Sequence, residues 1–326
     1  MSLLLDVADL SVSFRSGRGR VPALRGVSLS VKKGQTLGVV GESGCGKSLT
    51  ALAVMGLLPV PDSGIDGGSI MLRTGGSESD LTKTNSARRH RGKDMAMIFQ
   101  EPMTALNPSF TIGEQIGEVL RRHEHLGRQA AQERSIDLLR SVGIPAPESR
   151  IKLYPHELSG GMRQRAMIAI AIACAPALLI ADEPTTALDV TIQAQVLDLL
   201  RSLQSQLGTG ILFITHDMGV IAEMADEVAV MYLGTVVEKG PTASILERPA
   251  HPYTQGLIRS VPTIEMSREL RLTPIAGSVP SLSRAPSGCR FNTRCPHAFE
   301  KCREQEPPMH VLDGSQQAAC WLAGEL

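Results

Sequence analysis

A glycine-rich octapeptide near the start of the chain has the residue types and spacing of a phosphate-binding loop. It reads Gly41-Glu42-Ser43-Gly44-Cys45-Gly46-Lys47-Ser48 and fits the pattern G-x-x-x-x-G-K-[ST]. Glycines let successive backbone N–H groups converge on phosphate oxygens, and a helix that begins near Lys47 adds the positive end of its dipole. We expect Lys47 to reach the β- and γ-phosphates of ATP and Ser48 to bind Mg²⁺. The alternative, a chance Gly-rich turn, is disfavoured by the apolar strand before the loop and the helical pattern after it.

Two carboxylates follow a second apolar segment. Residues 178–181 predict a buried strand, and Asp182 and Glu183 come directly after it. Because such a sheet places ligand contacts at its strand ends, we expect Asp182 to hold Mg²⁺ through water. Glu183 is suited to act as a general base or to polarise the attacking water. The alternative is that Asp182 and Glu183 are only solvated residues at the junction between strand and loop. The phosphate loop upstream disfavours this alternative.

Residues 158–165 contain a second anion-binding device. Ser159 predicts a helix N-cap, and Gly160 and Gly161 leave backbone N–H groups exposed where the helix starts. One nucleotide does not need two such devices from the same chain. The segment resembles the signature sequence of ATP-binding-cassette proteins, with Met162 where Gln is commoner. The resemblance implies that these residues face ATP held by a partner subunit, so that two cassettes close over two ATP molecules.

Other positions match the same family in order along residues 10–240. The resemblance implies that Gln100 senses the γ-phosphate and Mg²⁺ and helps to bind the metal. It also implies that Ala187-Leu188-Asp189 is the D-loop, with Asp189 at the dimer, and that His216 is the switch histidine that contacts the γ-phosphate. Phe14 is expected to stack on adenine, with an ordinary place in a strand core as its alternative.

The candidate nucleotide-binding and catalytic residues are far apart in the sequence, so the fold must bring them together. Short apolar strands alternate with helical periodicity, which predicts an α/β core with a mainly parallel sheet. The resemblance implies a P-loop NTPase (RecA-like) nucleotide-binding domain over residues 1–240, with an inserted helical subdomain at about residues 101–165. Beyond residue 240 proline becomes frequent and strong periodicity stops. We therefore expect a small C-terminal appendage over residues 241–326.

Composition and charge limit the classes of function that the chain could have. The chain has 326 residues, and 33 Lys and Arg balance 33 Asp and Glu. The only dense basic run is Arg88-Arg89-His90-Arg91, so nucleic-acid binding is not expected.

Residues 1–10 lack the basic start of a signal peptide. The longest apolar run, residues 166–181, is broken by Pro176 and is shorter than the roughly 20 residues of a membrane span. Any membrane role is therefore expected to come through a partner.

Three stretches, residues 100–108, 184–195 and 251–255, look like the ATPases of the dipeptide, oligopeptide and nickel importer group. The resemblance implies ATP hydrolysis coupled to uptake of dipeptides or oligopeptides, with nickel or another small solute as the alternative cargo. It implies a second homologous, non-identical ATPase, two membrane permease subunits and an extracytoplasmic peptide-binding protein as partners. The chain would then be a peripheral protein at the cytoplasmic face of the inner membrane.

Rival classes are soluble cassette ATPases of DNA repair or translation, and ATPases of exporters. Repair proteins interrupt the cassette with long coiled-coil arms, and ribosomal ones carry two cassettes in one chain. Neither feature is present in this sequence. The three importer-like stretches argue against an exporter.

Four cysteines, Cys289, Cys295, Cys302 and Cys320, lie close together in the tail. In a chain without a secretion signal they favour a metal site over disulfides. Their spacing lacks the Cys-x₂-Cys pairs usual in zinc sites and fits neither common ferredoxin pattern. The stretches around Cys289 and Cys295 resemble those of peptide-importer ATPases, which implies a 4Fe–4S cluster that stabilises the appendage. Zinc, and cysteines that are free or serve only in packing, are the alternatives.

Overall fold

The computed structural model describes residues 2–17, 19–186, 188–260 and 274–325. The strands are β1 (Leu3–Ser16), β2 (Gly19–Lys32), β3 (Thr36–Val40), β4 (Ser63–Thr74), β5 (Ser77–Asp80), β6 (Met95–Ile98), β7 (Leu178–Asp182), β8 (Gly210–Thr215), β9 (Glu227–Tyr232), β10 (Thr235–Pro241), β11 (His310–Val311) and β12 (Gln317–Ala318). The helices are α1 (Lys47–Met55), α2 (Ser86–His90), α3 (Pro102–Ala105), α4 (Ile112–His123), α5 (Arg128–Ser141), α6 (Pro147–Arg150), α7 (Gly160–Ile172), α8 (Val190–Leu207), α9 (Met218–Met224), α10 (Thr242–Glu247), α11 (Pro252–Arg259) and α12 (Glu300–Glu304). Short 3₁₀ turns occupy Pro155–Glu157 and Leu282–Arg284.

The larger sheet positions the site. Its strand order is β11-β12-β10-β9-β3-β8-β7-β6, and the five strands from β9 to β6 are parallel. Every residue of β3, β7 and β8 is buried, as expected of apolar strands covered on both faces. Because parallel strands end at the same edge, the loops that follow β3, β7 and β8 come together there.

A second, antiparallel sheet has the order β2-β1-β4-β5. From the residue pattern alone, only a short strand at residues 29–31 is predicted in this sheet. Register shifts interrupt the pairing of β1 with β2, which blurs the simple alternation from which long strands are read. Its buried side chains, among them Leu5, Leu24 and Ile70, join Ala51 and Val54 of α1 in one apolar cluster. This sheet therefore covers the helix that follows the phosphate loop.

Helices α3 to α7 lie between β6 and β7 in the chain. Thr111 and Glu114 form a capping box at the start of α4, in which each side chain accepts the backbone N–H of the other. Ile116 and Leu120 of α4 pack with Leu139 of α5 in the apolar cluster that also contains the buried face of α7. The packing holds the N-terminus of α7 in a defined place at the surface.

Residues after β9 return to the edge of the larger sheet. β10 pairs with β9 and with β12. The rings of Tyr232, Tyr253 and Phe291 pack at tilted or edge-to-face angles, with their centroids 4.7–5.4 Å apart. The buried carboxylate of Glu238 accepts the backbone N–H groups of Ala250 and His251. The C-terminal residues thus pack directly beside the strands that carry the phosphate loop. In the described part of the chain, no helix combines the length and the apolar character needed to cross a bilayer.

Candidate nucleotide site

The phosphate loop connects β3 to α1. Gly41 has φ 159°, and a Cβ there would lie 2.2 Å from the carbonyl oxygen of Met231. Gly46 has φ 105°, and its Cβ would lie 2.6 Å from the Leu24 side chain. Only glycine fits both positions. Lys47 is buried, and its Nζ donates to the carbonyl oxygens of Gly41 at 2.7 Å and Glu42 at 3.2 Å, so the ammonium group is held inside the curve of the loop.

A cavity of about 260 Å³ opens over this loop. Predicted site residues that line it are Phe14, Ser43, Gly44, Gly46, Lys47, Ser48, Gln100 and Glu183. Ala23, Leu49 and Leu282 complete its wall. Cys45 is fully buried instead, and burial raises the pKa of its thiol. Residues predicted from four separate stretches of sequence therefore share one cavity.

Ser48, which lines this cavity, contacts Asp182, which does not line it. The Ser48 hydroxyl donates to Asp182 Oδ1 at 2.9 Å, and Asp182 is 5% exposed. Burial raises the pKa of Asp182, and the hydrogen bond from Ser48 opposes that rise. A hydroxyl and a carboxylate are the oxygen donors that Mg²⁺ takes from a protein when phosphates supply the rest. The pair fits a Mg²⁺ ion bound together with a nucleotide.

Glu183 is the centre of a hydrogen-bonded group. Its carboxylate accepts from Gln100 Nε2 at 3.2 Å and from the Thr186 hydroxyl at 2.9 Å, and lies 3.3 Å from His216 Nδ1 and 3.9 Å from Lys47 Nζ. Its φ is 47°, a left-handed conformation that costs a non-glycine residue about 1–3 kcal/mol. Such strain persists only where surrounding structure imposes it, and it clusters at active sites. Here the Glu183 backbone N–H donates to Ile214 of β8 at 2.9 Å.

Thr186 did not figure among the residues predicted from the sequence. Its hydroxyl lies in the loop after β7, three residues beyond Glu183, and a threonine so close to a candidate base was the available signal. The hydrogen bond from this hydroxyl helps to orient the Glu183 carboxylate. Gln100, which was expected to help bind Mg²⁺, contacts Glu183 through its amide nitrogen.

The predicted signature and D-loop residues that the structure describes lie outside the cavity over the phosphate loop. Ser159 caps α7, with its hydroxyl 3.4 Å from the backbone nitrogen of Met162, and Asp189 caps α8 by accepting the N–H of Ile192 at 2.9 Å. Ser159, Gly160 and Asp189 are exposed, Gly161 is half-buried, and none of them lines the cavity. Ala187 of the D-loop lies outside the described residues. These segments are therefore available to a second molecule.

Two residues that the sequence analysis did not assign contact the phosphate loop from the C-terminal region. The Tyr253 hydroxyl accepts the backbone N–H of Glu42 at 2.8 Å, and Arg294 binds both carboxylate oxygens of Glu42. Their partner is more than 200 residues earlier in the chain, so no local pattern could have indicated these contacts.

The predicted iron–sulfur cluster is wrong, and so is its zinc alternative. Cys289, Cys295, Cys302 and Cys320 do line one cavity, but its volume is about 10 Å³, room for roughly one water. Among the residues described, no three His, Cys, Asp or Glu side chains form a group that could hold a metal ion. Burial raises the pKa of Cys289 to about 11 and also raises that of Cys295 and Cys320. Cys289 and Cys295 pack instead against the apolar cluster around Tyr253 and Phe291. Neither the closeness of these cysteines in sequence nor the resemblance of the stretches around them corresponds to a metal-ligand set among the described residues.

Comparison with known proteins agrees with this geometry. The family model described as "ABC transporter" matches residues 24–186, and the model "Oligopeptide/dipeptide transporter, C-terminal region" matches residues 237–302. The chain is 50% identical over 319 residues to "Oligopeptide transport ATP-binding protein OppD" of Bacillus subtilis, covering 98% of this chain and 88% of that one. It is 47% identical over 324 residues to "Dipeptide transport ATP-binding protein DppD" of the same organism, covering 99% and 95%.

Solved structures share the fold. CbiO1 from Clostridium perfringens, described as part of an ABC transporter complex, superposes with a TM-score of 0.63 at 25% identity, over 76% of this chain and 93% of that one. A dimeric ATP-binding cassette bound to ADP and Pi gives the same TM-score at 24% identity, over 73% and 99%. The predicted α/β P-loop fold is confirmed. The chain belongs to the ATP-binding-cassette transporter ATPases, in the group of oligopeptide and dipeptide transport ATP-binding proteins.

Proposed function

We propose that this chain is the ATP-hydrolysing subunit that drives an importer of dipeptides or oligopeptides. The observation that carries the proposal is that one chain combines the cavity lined by Lys47 and Glu183, with the adjoining Ser48–Asp182 pair, and a C-terminal region of the oligopeptide and dipeptide transporter type. Relatives named for oligopeptide and dipeptide transport match it over nearly its full length. Those names favour peptides over nickel as the cargo, and they disfavour DNA repair or translation.

The proposed chemistry assigns a task to each side chain at the cavity. Loop N–H groups and Lys47 bind the phosphates of ATP, and Phe14 stacks on the adenine. Mg²⁺, when bound at Ser48 and Asp182, supplies positive charge beside the β- and γ-phosphates. Glu183 accepts a proton from the attacking water.

Around Glu183, Gln100 and Thr186 hold the carboxylate in place through their hydrogen bonds. His216 lies against the same carboxylate with its side chain 58% exposed toward solvent, so it is free to contact the γ-phosphate. The direction of the Glu183 side chain is thereby set before nucleotide binds, which reduces the reorganisation needed for catalysis.

A second, homologous and non-identical cassette is the proposed partner across the ATP sites. The support is that Ser159, Gly160 and Asp189 are exposed and do not line the cavity of their own chain. We propose residues 1–240 as the ATPase domain, about 101–165 as its helical subdomain and 241–326 as the C-terminal appendage. The division follows the chain between β6 and β7 and after β10.

Two membrane permeases and an extracytoplasmic peptide-binding protein are the further proposed partners, with this chain peripheral at the cytoplasmic face of the inner membrane. A docking surface for a permease is proposed at residues 101–118, which follow Gln100 directly. Large apolar side chains are exposed there: Met103 is 55% and Phe110 is 49% exposed. Movement of Gln100 during the ATP cycle would be passed to this surface.

A photo-crosslinking benzoylphenylalanine in place of Phe110 is expected to capture a permease subunit in membranes that contain the assembled complex. The physical reason is that an exposed aromatic ring beside the moving loop is suited to burial against a partner. Mass spectrometry of the crosslinked band is the measurement. The same substitution at Phe299, which is 40% exposed in the C-terminal region, is the matched control. Capture of a permease from position 299 alone would contradict the proposed surface.

Peptide uptake tests the function itself. Vesicles containing the permeases, the peptide-binding protein and both ATPases are expected to accumulate a labelled dipeptide or oligopeptide only when ATP and this chain are present. Omission of this chain, with its partner ATPase kept, is the control. Uptake of nickel without uptake of any peptide would reject the peptide assignment while retaining the importer. Full ATPase activity with no accumulated solute would reject the importer.

A further inference from the structure

The C-terminal region reaches the phosphate loop through a partly buried ion pair. Arg294 Nη1 donates to Glu42 Oε2 at 2.6 Å, and Nη2 donates to Glu42 Oε1 at 3.1 Å. The Arg294 side chain is 3% exposed and that of Glu42 is 30% exposed. A bidentate pair of this kind fixes direction as well as distance, because the guanidinium is planar and both carboxylate oxygens are engaged.

Arg294 is itself held rigidly. Its Nε donates to the carbonyl oxygen of Ala276 at 2.9 Å, and Nη2 also approaches the carbonyl of Ile275 at 3.3 Å. The guanidinium lies 5.8 Å from the centre of the Tyr232 ring and 5.9 Å from that of Phe291. These contacts restrain the guanidinium group that binds Glu42.

The backbone of Glu42 is fixed by two further contacts. Its N–H donates to the buried Tyr253 hydroxyl at 2.8 Å, and its carbonyl accepts from Lys47 at 3.2 Å. The C-terminal region also reaches the cavity directly, since Leu282 lines it beside Phe14 and Lys47. Glu42, the second residue of the phosphate loop, is thus held both by Lys47 and by the C-terminal region.

A free carboxylate at this position would oppose nucleotide binding. Glu42 is the second residue of the phosphate loop, directly before Ser43, which lines the cavity, and an unpaired negative charge there would repel an anionic ligand. Arg294 neutralises that carboxylate and binds both of its oxygens. We propose that Arg294 is a positioning residue for ATP, through which the C-terminal region neutralises Glu42 and completes the phosphate loop. The inference rests on the proposed ATP site and deepens it.

The test uses the intact chain with ATP and ADP as probes. Arg294→Met is expected to weaken ATP binding about tenfold, and ADP binding less, because ADP carries less negative charge. Adding Glu42→Gln to Arg294→Met is expected to recover most of the lost affinity, since the unpaired charge is then gone. In the assembled complex, KM for ATP should rise while kcat stays within about twofold, because Arg294 does not touch Glu183.

Arg290→Met is the matched control. Arg290 is also a buried arginine of the same segment, 7% exposed, but it lines a different cavity, away from the phosphate loop. This variant is expected to bind ATP as the wild type does. Thermal unfolding of each variant separates loss of folding from loss of affinity.

If Arg294→Met does not fold, Arg294→Lys replaces it. Lysine keeps a charge but not the bidentate geometry, so a loss of about threefold, again recovered by Glu42→Gln, is expected. Wild-type affinity in the folded Arg294 variant, or a double variant no tighter than the single one, overturns the proposal. A wild-type chain that binds no ATP would instead reject the proposed function.

Discussion

Glu183→Gln is expected to lower steady-state ATP hydrolysis by about 10²–10⁴-fold while leaving ATP bound. The amide keeps the size of the side chain and can still accept a hydrogen bond from Thr186, but it cannot take a proton from water. ATP then stays intact between the two cassettes, so the variant should also accumulate a closed dimer. Phosphate release by the assembled complex and the mass of the ATP-bound ATPase pair in solution are the measurements.

The control for this experiment is Glu247→Gln, which makes the same chemical change on the exposed end of α10. It is expected to hydrolyse ATP at the wild-type rate. Near-normal turnover by Glu183→Gln would remove Glu183 from the role of general base. The hydrogen bonds from Gln100 and Thr186 and the strained φ would then need a different explanation.

Lys47→Ala is expected to weaken ATP binding by roughly 10- to 100-fold, the range for losing charged hydrogen bonds worth about 1.5–3 kcal/mol. In the structure the Lys47 ammonium is already held at the loop carbonyls, so it meets a phosphate without reorganisation. Titration of the isolated chain with a fluorescent ATP analogue gives the affinity. The free energy of unfolding should be measured alongside, because Lys47 is buried.

Ser159→Arg is the companion variant. It places a long charged side chain on the exposed N-cap of α7, away from the cavity. ATP affinity of the isolated chain is expected to stay within about twofold of wild type, while closure of the ATPase pair and hydrolysis are lost. Equal loss of nucleotide binding in both variants would contradict the division of labour between the phosphate loop and the signature.

The sequence by itself predicted what depends on local spacing. Gly41, Gly46 and Lys47 lie within a few residues, and their conformations follow from the glycines and from the helix that begins at Lys47. The strand before Asp182 and the N-cap at Ser159 are local in the same sense. Parallel strands that end at one edge then explain why these stretches could be expected to meet.

Which side chains touch one another depends on how distant segments of the chain pack together. Glu183 meets His216 because β7 and β8 pair side by side, and Arg294 meets Glu42 across 252 residues because the chain returns to the edge of the sheet. The four tail cysteines show the opposite outcome: closeness in sequence brought them to one cavity but not to a ligand geometry. Spacing along the chain limits which residues can come into contact. The orientation and burial of their side chains depend on how distant segments pack, and these determine the chemical role of each contact.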